Sequence, residues 1–420
     1  MSCGKNKTGN TPVPGGVLGA VLLAATTCVH AAERDAAVDE DAGNGYTLGI
    51  MYRADVVSNV SGGLKRGTKA LGNLDATLDL DLDRLAGWSG MTASFHAIAS
   101  HGGKPNTYLV GSNQGVDNIE VETNTAKLFQ AWIEKQWQGD RFSVRFGLYD
   151  LNSEFYVSHT SGMFMHPAPG IGSEMAQTGV NGPSVFPTSS LVLRLRYRPS
   201  EETYLQAVVL DGVPGDPDNP RGTHIQFNDG DGALRVVEAG YIPALAKDAE
   251  ARGLSPTDKY AIGVWSYTSQ FEDLAEVDGV GNPLMRDDNR GFYVLAERTV
   301  HYGAQGGHTD VFARYGRSNG DINPLVGYGE IGIVFDGLIR QRPHDKIGVS
   351  WTYGQIGKKY RAVTPGSERH ETAWEVTWRA PVNDWLTIQP NLQYVIHPGA
   401  TADVEDATVL GIRFEMSLEK

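Results

Sequence analysis

The chain has 420 residues, 20% of them charged, and a formal net charge of −14. So acidic a protein is a poor partner for nucleic acid or for an anionic membrane surface. It has only two cysteines, Cys3 and Cys28, a mean hydropathy below zero and no later apolar run approaching about 20 residues, which excludes a disulfide-stapled fold and a bundle of transmembrane helices.

The first residues read as a secretory signal: Lys5 and Lys7, an apolar run from Val17 to Ala25, then Val29-His30-Ala31 as a small-residue cleavage site. Residues 1–31 are expected to be removed, and both cysteines go with them, so the mature chain has no thiol or cysteine metal site. Residues 32–45, acidic and without periodicity, form a flexible leader, and the folded domain spans 46–420.

From Leu74 to Asp83, Leu74, Ala76, Leu78, Leu80 and Leu82 alternate with Asp75, Thr77, Asp79, Asp81 and Asp83. A helix would smear these around its cylinder, whereas a strand puts every leucine on one face and every carboxylate on the other. The pattern returns where Phe142, Val144, Phe146 and Leu148 alternate with Arg141, Ser143, Arg145 and Gly147. It returns again where Leu191, Leu193, Leu195 and Tyr197 alternate with Val192, Arg194, Arg196 and Arg198, and from Leu410 to Leu418. Ionic faces this dense opposite such apolar ones point to an all-β, transmembrane antiparallel barrel around a wet lumen, whose backbone groups pair between strands. Sixteen strands fit, beginning near Tyr46, Asn73, Met91, Lys127, Arg141, Ser190, Thr203, Ala233, Lys259, Arg290, Asp310, Leu325, Asp345, Glu371, Leu386 and Ala407.

Connections over the first half alternate in length. Val57 to Gly72, His101 to Ala126, Asp150 to Ser189 and Asp211 to Gly232 are long, while Gln138-Gly139-Asp140 and Pro199 to Glu202 are short, as in barrels with long outer loops and short periplasmic turns. Pro243 to Asp258 is long where a short turn is due, and its Ala-Lys-Asp-Ala-Glu-Ala-Arg core suits a short helix. Trp88, Trp137 and Trp385 beside short turns suit an interfacial girdle.

The sequence resembles the carbohydrate-selective porin family, the OprB type, over nearly the whole mature chain. The resemblance rests on Leu71 to Asp81, Phe146 to Tyr156, Gly179 to Pro187, Asp211 to Asp218 with Arg221-Gly222-Thr223-His224, and Trp385 to Val395. It implies a sixteen-stranded outer-membrane porin through which sugars, such as glucose and similar small polyols, diffuse passively. The alternatives are a general porin and an outer-membrane barrel hydrolase. One departure is at the carboxyl end, where Leu418 holds the place of the usual terminal aromatic residue.

Asp150 to Ser189 is expected to fold inward as a constriction loop. Arg141 and Arg145, with Arg194, Arg196 and Arg198, are expected to face the lumen opposite Asp75, Asp79, Asp81 and Asp83, so that guanidinium donors and carboxylate acceptors replace water around sugar hydroxyls. Glu154 and Tyr156 of the loop complete the expected path of Glu154, Arg141, Arg145, Arg194, Arg196, Asp79, Asp81 and Tyr156. The competing account is that these charges only solvate the wall and pair with neighbours. The aspartates of 211–232 lack calcium-loop spacing and suit turns. Ser158, His159 and Ser161, or Glu154 and Glu174, supply catalytic residue types without a catalytic arrangement. No catalytic residue, metal or cofactor is therefore expected. Partners are sugars, outer-membrane lipid and lipopolysaccharide, with homo-oligomerisation open.

Overall fold

Sixteen strands close into one antiparallel barrel in the computed structural model, which describes residues 44–243, 258–303 and 307–419. The strands are β1 (Tyr46–Ser61), β2 (Gly67–Asp81), β3 (Met91–Gly102), β4 (Ala126–Trp137), β5 (Phe142–Tyr149), β6 (Ser190–Tyr197), β7 (Thr203–Asp211), β8 (Ala233–Tyr241) and β9 (Lys259–Tyr267). They continue as β12 (Arg290–Tyr302), β13 (His308–Ser318), β14 (Leu325–Asp336), β15 (Lys346–Ile356), β16 (His370–Asn383), β17 (Leu386–Ile396) and β18 (Ala407–Glu419). Between β9 and β12 a separate hairpin, β10 (Phe271–Val277) and β11 (Pro283–Arg286), stands outside the barrel sheet. β1 pairs with β18, so the sheet has no free edge.

The two faces divide as the alternation requires. Phe146 and Leu193 are 54% and 47% exposed on the outside, while Arg145 and Arg194 between them are buried inside. Register then sets lumenal charges of opposite sign across from each other: Arg53 opposite Glu415, Asp55 opposite Arg413 and Glu134 opposite Arg145. Trp88, Trp137 and Trp385 are exposed at the barrel end that carries the short turns.

Strand starts agree with the sequence reading to within two residues, except that β2 begins at Gly67 instead of Asn73. The expected long connection from Val57 to Gly72 is mostly strand, because Val57, Ser58 and Asn59 pair with Lys69, Thr68 and Gly67. Inward Val57 and Leu71 are buried with Leu109 and Val110 of the connection between β3 and β4. At its other end β2 stops at Asp81, whose side chain accepts the Asp83 and Arg84 amides and caps a short helix, Leu82–Ala86. Asp81 and Asp83 are therefore a cap and a first-turn residue, which corrects their assignment to the acidic wall. The signal segment, most of the leader and most of Pro243 to Asp258 lie outside the described residues.

Candidate functional site

The connection 150–189 lies against inward-facing side chains, and buried glutamates on the wall hold its backbone. Glu238 of β8 accepts the Tyr156 amide at 2.9 Å, and Glu297 of β12 accepts the His159 and Thr160 amides at 3.1 and 2.8 Å with the Ser158 hydroxyl at 2.9 Å. Across the barrel, Glu375 of β16 accepts the amides of Met165 and His166 at 2.8 and 2.9 Å. A charged acceptor taking amides without water is a strong hydrogen bond, net about 1.5–3 kcal/mol. The residue types that suggested catalysis, Ser158 and His159, are thus pins of the loop.

A second connection, 103–125, is seated the same way. Glu371 of β16 accepts the Asn113 and Gln114 amides at 2.8 and 3.0 Å, the Ser112 hydroxyl at 2.6 Å and the Gly399 amide at 2.7 Å. The two loops also join each other, with Asn118 donating its amide to the Met165 carbonyl and its side chain to the Phe164 carbonyl. Sequence reasoning placed His101 to Ala126 among the long outer loops and missed its inward seat and all of these glutamates. Their one sequence signal is a glutamate at an inward position of a strand's alternation.

Four of the expected site residues come together. Glu154 accepts both Arg194 Nε and Nη2, at 3.0 and 2.9 Å, together with Arg196 Nη2 and the Tyr149 hydroxyl. Arg145 and Arg194 share Glu134, and the Arg145 guanidinium lies 3.7 Å over the Trp132 ring. Burial alone would raise the Glu154 carboxyl, but Arg145, Arg194 and Arg196 outweigh it and hold the group far below the usual carboxylate range. Arg194 is 0% exposed. Tyr156 takes a positive φ of 60° that its contacts sustain: the amide bond to Glu238, a parallel stack on Tyr293 at 3.9 Å and a hydroxyl bond to Glu174 at 3.1 Å. Glu174 reaches it past Gly316, where a Cβ would lie 1.7 Å from its Oε1. Arg141 is exposed at the turn end of β5, beside the Tyr197 ring. Asp79 is half-buried further down β2.

A cavity of about 440 Å³ remains between the two loops and the wall of β18, β1, β2 and β4. Arg53, Asn73, Asp75, Gln130 and Arg413 line it from the wall, and none of Glu154, Arg145, Arg194, Arg196, Arg141, Asp79, Asp81 or Tyr156 does. Its two arginines are compensated. Arg53 donates to Asp75 at 3.0 Å and Glu415 at 3.3 Å, while Arg413 donates to Asp55 at 2.9 Å and to the Asn118 carboxamide oxygen at 2.6 Å. Burial and the adjacent Asp55 push the Asp117 carboxyl of the 103–125 loop well up, with Arg413 opposing.

The sequence profile of the carbohydrate-selective porin, OprB family, matches residues 65–418. Porin B of Pseudomonas aeruginosa is 23% identical over 409 residues, covering 88% of this chain and 87% of that protein. Among solved structures, the high-pH structure of Pseudomonas putida OprB superposes with a TM-score of 0.77 at 21% identity, over 89% of this chain and 94% of that one. The low-pH structure of the same protein gives 0.56 at 18% identity, over 89% and 93%. With its closed sixteen-stranded barrel and a profile match over most of its length, this chain belongs to the carbohydrate-selective OprB porins and is an outer-membrane channel for the diffusion of sugars.

Proposed function

We propose that monosaccharide-sized sugars and similar small polyols cross through the cavity beside β18, β1, β2 and β4, with the 150–189 loop as the constriction. The observation that carries this reading is a cavity of about 440 Å³, framed by two seated loops and lined by charged and carboxamide side chains beside apolar ones. In this account the cluster of Glu154 with Arg145, Arg194 and Arg196 holds the loop to the wall and is not itself the path, since those groups spend their hydrogen-bonding capacity on each other. The first 31 residues direct export, and the apolar outer face takes outer-membrane lipid.

Deleting Met163 to Met175 tests the reading, because Phe164, Pro167 and Ser173 of that stretch line the cavity. Single-channel conductance is expected to rise, and liposome swelling is expected to lose its preference for hexoses over larger solutes. A correctly folded deletion variant with unchanged conductance overturns it.

A further inference from the structure

Eight of the side chains around the cavity are carboxamides, and the structure divides them into two groups. Asn73 is consumed by Asp75 and Ser100, Asn106 by Ser112, Asn118 by Phe164 and Arg413, and Asn152 donates to the Phe155 carbonyl. These four build the walls. The other four keep capacity. The half-exposed Asn113 uses its backbone for Glu371 and Gln177, and its carboxamide makes no hydrogen bond among the described residues. Gln177 donates to the Asn113 carbonyl and keeps its oxygen, and the Gln114 Oε1 is buried without a partner. Gln130 donates to His96 Nδ1 at 3.4 Å, as the end of a chain in which His96 Nε2 bonds Asp75 at 2.8 Å, and its own oxygen stays available.

We propose that Asn113, Gln114, Gln130 and Gln177 form a carboxamide-lined subsite that selects uncharged, polyhydroxylated solutes. This rests on the reading that the cavity is the path. A carboxamide both donates and accepts while carrying no charge, so it matches a hydroxyl that does the same. Neutral pairs are weaker than charge-assisted ones, which suits a channel whose solute has to leave as readily as it enters. Arg53 and Arg413 are already compensated by Asp75, Glu415 and Asp55, so they offer little net charge to hold an anionic solute. Phe186, in the same lining, gives an apolar surface for the C–H face of a sugar ring.

The test measures swelling of proteoliposomes in glucose, gluconate and a zwitterionic amino acid of similar size, with potassium-to-chloride selectivity recorded in planar bilayers. Asn113→Ala combined with Gln130→Ala is expected to cut the advantage of glucose over the amino acid roughly fivefold, the weight of about one hydrogen bond, while leaving ion selectivity unchanged. An undiminished glucose advantage overturns the subsite. Asn113→Trp separates this from the path itself. If that variant folds and blocks all solutes, the path stands and only the alanine result judges the amides. If it passes every solute as before, the path reading has failed.

Discussion

Glu154 sits where three guanidinium groups meet, and its position decides what they do. Arg145, Arg194 and Arg196 each occupy an inward place in β5 or β6, as the alternation requires, but they turn to Glu154 and Glu134 and not to water. Removing one partner from a buried charged cluster costs about 3–5 kcal/mol, because the remaining charges are left without compensation. Glu154→Gln is therefore expected to lower the temperature at which the folded barrel converts to its unfolded form on a gel, and to give larger, noisier single-channel currents as the loop loosens. An altered ion selectivity with neither effect would mean the cluster is only wall charge. The Ser143 position, tolerant by alternation alone, is also occupied in this sense, since its hydroxyl accepts Arg194 Nη1.

At the scale of the element, each strand must satisfy two solvents at once. Leu193 of β6 is outside, and Thr77 of β2 shares the inward face of Asn73 and Asp75. Leu193→Arg is expected to destabilise the barrel by roughly 2–4 kcal/mol if it lies near the bilayer midplane, and Thr77→Arg much less, measured by reversible unfolding in lipid vesicles. Equal costs would contradict the register. The loops follow another rule. A connection inside a barrel has backbone amides that water no longer serves, and Glu238, Glu297, Glu371 and Glu375 supply the acceptors.

For the whole molecule, the seating of the 150–189 loop is linked to protons. Burial raises Asp150 and Glu174 to about 7, from ordinary values of 3.8 and 4.5. Glu174 faces the Tyr156 hydroxyl and Arg314, which oppose that rise without cancelling it. A carboxyl raised on folding favours the folded arrangement while protonated, fully so below its unfolded value, and loses that contribution as pH climbs from there through the folded value. Channel conductance and noise are accordingly expected to rise between about pH 5 and pH 8. Glu174→Gln should reduce that rise, and a pH profile identical in the variant would remove Glu174 as a cause.

The barrel was legible in the order of residues because a membrane-spanning strand must show lipid an apolar side chain at every second place, a local constraint that survives without knowledge of neighbours. Leu74, Phe146, Leu193 and Leu410 announce it, and the loop from Asp150 to Ser189 follows from where the pattern stops. Polar residues above the membrane carry no such constraint, so the paired stretch of Val57 to Asn59 with Gly67 to Lys69 read as loop. Tertiary structure alone decided which inward charges meet each other and which meet the cavity. Arg194 and Arg53 look alike along the chain, but Arg194 is closed over by Glu154 of the folded-in loop, while Arg53 is left beside the cavity by the closure of β1 on β18. That difference depends on strand register and loop path, both set by contacts between residues far apart in sequence.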